Sequence, residues 1–341
     1  MSKKSMREAI REAIQLEMRR DPTVIVIGED VAGGQGGSAE NPGAVGGVLG
    51  VTKGLYDEFG PDRVIDTPIT ESAIMGAAAG AAVTGLRPVA ELMFMDFYGV
   101  CFDQIFNQAA KFRYMFGGKA TTPLVIRGMT GAGRRAGAQH SQSPHSVFTH
   151  IPGLKVVLPS TPYDAKGLLI QAIRDNDPVM FLEHKTLYDL KGEVPDEAYT
   201  IPFGEANVLR AGRDVTIVAI SRMVHVAMEA AQSLAKQGIE ATVIDPRTTS
   251  PLDEDTILEF VEETGHLVIV DEANPRCSFA TDVAALVADK GFGFLRGPVK
   301  LVTAPHSPVP FSPALEDAYI PSAAHVEAAV LSTLGREMVS A

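Results

Sequence analysis

Two stretches of this sequence hold side chains whose types and spacing could do chemistry. In the first, RVIDTPITESAIMGAAAGAAVTGLRPVAELMFMDF, residues 63–97, an apolar run ends in Thr67-Pro68 and Glu71 opens a helix made almost wholly of alanine and glycine. A carboxylate in a first helical turn faces the positive end of the helix dipole at the mouth of a strand-to-helix turn, where it can orient a ligand. The same placement gives about 0.3–1 kcal/mol of dipole stabilisation with no further role, so position alone leaves both open. The helix behind Glu71 has little side-chain bulk and can bring its backbone close to another surface. Phe97 closes the next apolar run with a flat face for stacking on a heteroaromatic ring, or with ordinary core packing; Asp96 before it suits a helix cap.

The second stretch, MTGAGRRAGAQHSQSPHSVFTH, carries His140, His145 and His150, each five positions from the next. Helical metal pairs need spacings of three or four, and no Asp, Glu or Cys accompanies them, which disfavours zinc. The Gly/Arg portion lacks the Gly-Lys-Ser/Thr ending of a phosphate-binding loop. Glu29, in the turn Ile27-Gly28-Glu29-Asp30, reads equally as a strand-end cap or as an acidic wall of a site.

The elements that must position these groups alternate. Apolar runs at Thr23 to Ile27, Arg63 to Ile69, Pro88 to Phe94, Pro123 to Arg127, Leu154 to Pro159 and Pro178 to Glu183 are separated by segments of helical spacing. Continuous apolar strands alternating with helices imply α/β architecture with parallel sheets covered on both faces. The rhythm dissolves into a polar, proline-marked connection between Lys185 and Phe203. It then restarts with DVTIVAIS, a helix from Met223 to Gln237, EATVIDP and HLVIVDE. Two domains are expected, 1–190 and 204–341. The second lacks a GxGxxG turn, so nothing supports dinucleotide binding. The glycine-rich run Ala32 to Gly50 breaks the pattern and is expected to be a long surface loop near the site or a partner.

A chain of 341 residues with 45% hydrophobic content can bury a sizeable core. Its formal charge of −12 argues against nucleic acid or an anionic membrane as partner. No apolar run is long enough to span a bilayer. The opening residues read as a first helix, with Met6, Ile10, Ile14 and Met18 on one face, and not as a targeting segment. Cys101 and Cys277 form no metal-binding or redox pattern, which fits a reducing cytoplasm.

The segment from Arg63 to Phe97 resembles the pyrimidine-binding domain of thiamine-diphosphate enzymes, in the beta subunits of 2-oxo acid dehydrogenase complexes. The resemblance runs on through VTKGLYDEFG, NQAAKFRYMFGGK, RTTSPLDED, DEANPRC and TAPHSPVPFSPALED. It implies two three-layer domains, a transketolase-like pyrimidine-binding domain and a transketolase C-terminal-like domain. It also implies that Glu71 bonds the cofactor's pyrimidine nitrogen and favours the imino tautomer that accepts the thiazolium proton. Phe97 would stack on the pyrimidine, Glu29 would line the site, and His140, in Gln-His-Ser-Gln, would reach the reacting carbon. The carbonyl of Leu124 together with Ala172, Asp175 and Asp177 would match a loop that holds potassium in some relatives.

The family's diphosphate-binding Gly-Asp-Gly motif, whose oxygens suit magnesium, occurs nowhere in the chain. The resemblance therefore implies an alpha subunit that holds the diphosphate and Mg2+, in an α2β2 heterotetramer, with the second domain in dimer contacts. A lipoyl acyltransferase would take the product acyl group. The run GGVLGVTKGL, with MFGGK, EHKTLY and APHSPVPFS, is most similar to beta subunits that act on acetoin, with pyruvate or a branched-chain 2-oxo acid as the alternative substrate.

Overall fold

The computed structural model describes residues 1–33 and 46–336, so residues 34–45 of the expected glycine-rich loop lie outside the described residues. The chain divides into two compact units. One holds Met1–Thr130 with Val147–Phe203, the other Gly131–Ser146 with Gly204–Ala341. The segment bearing His140 thus belongs by its contacts to the second unit.

In the first unit, strand β1 (Ser2–Ser5) leads into the helix Met6–Arg20, where Ser5 and Glu8 form a capping box. Met6, Ile10, Ile14 and Met18 recur every fourth residue and are all at most 1% exposed. Each such burial contributes about 1.5–3 kcal/mol. The sheet strands are β2 (Val24–Glu29), β3 (Val64–Thr67), β4 (Arg87–Phe94), β5 (Val125–Thr130), β6 (Lys155–Val157) and β7 (Val179–His184). They lie parallel in the order β6-β7-β5-β4-β2-β3.

Both faces of this sheet are covered. Val24 and Val26 join a core with the helices Met6–Arg20 and Pro162–Arg174. The alternate residues Ile25 and Ile27 are buried outside that cluster, as are Ile74, Met75, Ala78 and Ala82 of the helix Glu71–Val83. Side chains alternate between faces along a strand, so the alanine-rich helix covers the opposite face. Its outer stripe of Ala73, Ala77, Gly80 and Val83 is exposed in the single chain.

The polar stretch after β7 is more ordered than its composition suggests. Residues Lys191–Val194 form β8, which pairs antiparallel with β1. Backbone pairing across a two-stranded ribbon needs no apolar pattern, so hydropathy does not reveal it.

In the second unit, Lys300–Thr303, Leu267–Asp271, Val215–Ala219, Ala241–Asp245 and Asn207–Arg210 are neighbours in that order. The first four run parallel, and Asn207–Arg210 adds an antiparallel edge to the expected parallel sheet. The helix Met223–Ala235 buries Val224, Ala227, Ala231 and Leu234 in that unit's core. No helix among the described residues is long and apolar enough to cross a membrane.

The approach of β4 and β5 generates a prediction. A Cβ added at Gly128 would lie 2.0 Å from the carbonyl oxygen of Leu92, where the β4–β5 register shifts between Glu91 and Phe94. Gly128→Ala is expected to lower unfolding stability in urea by about 1–3 kcal/mol. Parental stability would mean that β4 moves aside without cost.

Candidate functional site

Glu29, Glu71 and Phe97 sit at the carboxyl ends of three adjacent strands. Glu29 ends β2, level with Thr67 of β3, and Gly28 lies level with Glu91 of β4. From Thr67 the chain passes through Pro68 to Thr70, the residue before the helix that Glu71 opens. β4 runs directly into the 3-10 turn Met95–Cys101, which carries Phe97. Crevices at the carboxyl ends of parallel strands are where α/β sheets bind ligands.

Specific contacts hold this arrangement. Ser72 Oγ donates to the Val100 carbonyl at 2.6 Å, tying the first turn of the Glu71 helix to the turn bearing Phe97. The Phe97 ring meets Phe94 edge-on at 6.0 Å between centroids. Burial, reinforced by the Glu71 carboxylate, pushes the Cys101 thiol up to about 12, so it stays a neutral apolar filler at pH 7. Burial likewise raises the Glu29 carboxyl, and Asp30, Glu71, Glu91 and Asp66 raise it further. The strand ends therefore form an acidic basin in which carboxyls hold protons above their usual range.

Beneath the basin lies a buried ion set invisible to motif reasoning. Arg127 of β5, 2% exposed, donates Nε and Nη2 to Glu183 at 2.8 and 2.6 Å and Nη1 to Glu91. Tyr188 adds its hydroxyl to Glu183 at 2.5 Å. One guanidinium faces two carboxylates, and burial raises Glu91 despite the pull of Arg127. The available sequence signal is an ionisable residue inside each of three apolar strand runs.

His140 lies in the second unit, in the strap Gly131–Ser146, half-buried, with its N–H donating to the Gly137 carbonyl at 3.3 Å. His145 is 2% exposed and pairs through Nε2 with Asp271 Oδ2 at 3.2 Å. The structure thus separates the two histidines: one is a buried tether and the other remains accessible.

Leu124, Ala172, Asp175 and Asp177 gather at the opposite, amino-terminal edge of β5 and β7. Three basic side chains enter that loop. Arg87 donates to the Asp175 carbonyl at 2.8 Å, Lys155 reaches Asp175 Oδ1 at 2.6 Å, and Arg113 pairs with Asp177. The Leu124 carbonyl accepts from Val179 at 2.9 Å, and that of Ala172 accepts from Asp175 at 3.2 Å.

Residues 2–191 match the transketolase pyrimidine-binding domain and residues 204–326 the transketolase C-terminal domain. The beta subunit of acetoin:2,6-dichlorophenolindophenol oxidoreductase from Cupriavidus necator is 66% identical, over 97% of this chain and 98% of its own. Its Bacillus subtilis counterpart is 61% identical, over 97% of each. The chain belongs to the transketolase-like family of dehydrogenase beta subunits. Within the family, the pyruvate dehydrogenase E1 beta subunit of Rickettsia felis is 46% identical, over 96% of this chain and 97% of its own. A solved chain described as a split gene transketolase, inactive beta4 tetramer, shares the fold with a TM-score of 0.78, over 97% and 98% of the two chains, at 24% identity.

The strand-end residues of this beta subunit fit the aminopyrimidine of thiamine diphosphate. The ring needs an acidic partner for its nitrogen, further polar partners and an aromatic face, and Glu71, Glu29 and Phe97 are of those types. Thr67 Oγ1 is buried there with no hydrogen-bond partner among the described residues, which leaves one polar atom for a ligand to satisfy.

The raised Glu29 carboxyl carries a pH dependence with a definite sign. An acid whose pKa is higher folded than unfolded binds more protons in the native state, so stability falls as pH rises through that window. Glu29→Gln removes this cost. The melting temperature of the variant should exceed the parent's at pH 8, and the gain should fade toward pH 4, where the unfolded carboxyl is itself protonated. A gain equal at both pH values would contradict the assignment.

Proposed function

We propose that this chain is the beta subunit of an acetoin dehydrogenase that cleaves acetoin, releases acetaldehyde and passes the acetyl group to a lipoyl acyltransferase. The observation that carries this is the 66% identity, over nearly all of both chains, with a beta subunit named for acetoin, against 46% with one named for pyruvate. Thiamine diphosphate, when bound, supplies the carbon–carbon bond cleavage.

The residues of this chain position groups and hold protons. Glu71 hydrogen-bonds the pyrimidine ring nitrogen and holds a proton there, beside a Glu29 carboxyl that burial raises. Glu29 completes the acidic wall and Phe97 offers its ring face to the pyrimidine. His140 donates a hydrogen bond to the carbonyl oxygen of the reacting fragment as charge develops there. The diphosphate and Mg2+ fall to an alpha subunit in an α2β2 assembly, because the chain has no Gly-Asp-Gly motif. The exposed Ala73, Ala77, Gly80 and Val83 stripe, with Ile69 72% exposed just before the helix and Val100, whose carbonyl meets Ser72, 61% exposed, suits burial against that subunit. Two cysteines that form no disulfide, one buried and one exposed, are in keeping with a cytoplasmic location.

Reconstitution with the alpha partner tests the proposal. Turnover of acetoin should exceed that of pyruvate, and cofactor should bind tightly only to the assembled pair. Glu71→Gln should lower turnover by roughly 10²–10⁴-fold with the melting temperature of the chain preserved. Faster pyruvate turnover would overturn the substrate, and cofactor binding indifferent to Glu71 would overturn the site. His140→Ala should slow acetyl transfer to lipoamide while cofactor affinity stays constant.

Potassium at the Leu124, Ala172, Asp175 and Asp177 loop is a separate proposal with a structural role, since the loop lies at the far edge of the sheet. It requires a higher melting temperature in KCl than in choline chloride at equal ionic strength. Equal temperatures would leave Arg87 and Lys155 as what holds the loop.

A further inference from the structure

The strap Gly131–Ser146 has an unusual backbone. Gly131, Gly133, Arg135 and Gly137 all have positive φ, at 88°, 101°, 57° and 75°. Alternating handedness rules out a helix or strand ladder, so its N–H groups must find acceptors elsewhere. Successive N–H groups in such a turn converge on one side and form a concavity that binds an anion.

Carboxylates of the second unit supply the anions. Glu316, fully buried, accepts from the N–H of Gly133 at 2.8 Å through Oε1, and from the N–H of Arg135 at 3.1 Å through Oε2. Arg135 Nη1 closes on the same Oε2 at 2.6 Å, and its Nη2 reaches Asp317 at 2.7 Å. Glu272 accepts from the N–H of Ala132 at 2.6 Å. Its neighbour Asp271 pairs with His145 at the other end of the strap. Two consecutive carboxylates at one strand end thus tether both ends of the strap, and Glu316 grips its middle. The Gly131 N–H also donates to Gln142 O at 3.0 Å, which closes the strap into a ring with His140 on it.

Packing alone does not fix this ring. A cavity of about 260 Å³ lies beside it, lined by Ala138, Ser141 and Ser143 of the strap and by Glu272, Asn274 and Tyr319. A segment bordered by open space is held by its hydrogen bonds, and charge-assisted bonds to carboxylates are the strong ones. At Gly137, an added Cβ would come within 3.3 Å of the Phe311 ring, so that turn also sits at a set height.

We propose that Glu316, Glu272 and Asp271 are positioning residues that set the place of His140 in the reaction. This rests on the role given to His140 above. The carboxylates touch no substrate; they fix the backbone from which the imidazole projects. Loss of a grip should therefore lower kcat and leave cofactor and substrate affinity unchanged.

The test uses the assembled enzyme with Glu316→Gln, Arg135→Met and His140→Ala, singly and with each of the first two combined with His140→Ala. Amide hydrogen exchange of the 131–146 peptides should rise in Glu316→Gln and Arg135→Met while the other peptides keep their protection. kcat for acetyl transfer should fall by about 10–100-fold with KM for acetoin unchanged. Added to His140→Ala, neither substitution should cost more, because both act through the same imidazole. If Glu316→Gln loosens the whole chain, Arg135→Met, at a side chain 37% exposed, carries the test alone. Unchanged exchange, an effect on KM alone, or losses additive with His140→Ala would overturn the positioning role. His140→Ala with full acetyl transfer would instead overturn the role of His140, a separate failure.

Discussion

The first unit depends on Arg127. Its guanidinium reaches from β5 to Glu91 on one neighbouring strand and Glu183 on the other, and all three residues are at most 7% exposed. Removing these charges from water costs several kcal/mol per ion, which the bidentate geometry and the Tyr188 hydroxyl offset. The set places one guanidinium between two carboxyl groups. Glu91 lies level with Gly28 near the end of β2 and is among the groups that raise Glu29. The acidity of the basin is thus a property of the sheet interior as much as of the residues at its mouth.

A basin that holds protons suits a cofactor whose reactivity depends on a proton kept at one ring nitrogen. The fold reaches it by ordinary means: parallel strands ending together, a proline-stiffened turn, and a helix that begins on a carboxylate. The alanine and glycine of that helix have a second consequence. With Ile74, Met75, Ala78 and Ala82 inward and Ala73, Ala77 and Gly80 outward, it is a thin wall with a sheet on one side and, in the proposed assembly, a partner subunit on the other.

The second unit holds the segment bearing His140 differently. The strap has only a few backbone hydrogen bonds within itself, and buried carboxylates accept from other N–H groups along it. Asp271 and Glu272 follow from where one parallel strand ends, and Glu316 from a short helix, Pro313–Tyr319, that buries it completely. A loop held in this way keeps a set shape without being part of a packed core, which lets it border a cavity and still present a histidine at a fixed height.

The sequence alone determined the α/β class, the strands it named to within about two residues in most cases, and the start of the Glu71 helix. Those follow from apolar periodicity, proline and dipole effects acting within a few residues. The strands Ser2–Ser5, Lys191–Val194, Asn207–Arg210 and Lys300–Thr303 were not among them. The tertiary structure decided which charged groups meet. Arg127 is visible in the sequence as a charge inside an apolar run, but its partners lie 36 and 56 residues away. His145 is tied to Asp271 across 126 residues, and Gly133 to Glu316 across 183. Pairing of that kind depends on strand order and chain crossing, which no local pattern encodes. The polar residues of the candidate site were therefore readable as types, and only folding gave them partners.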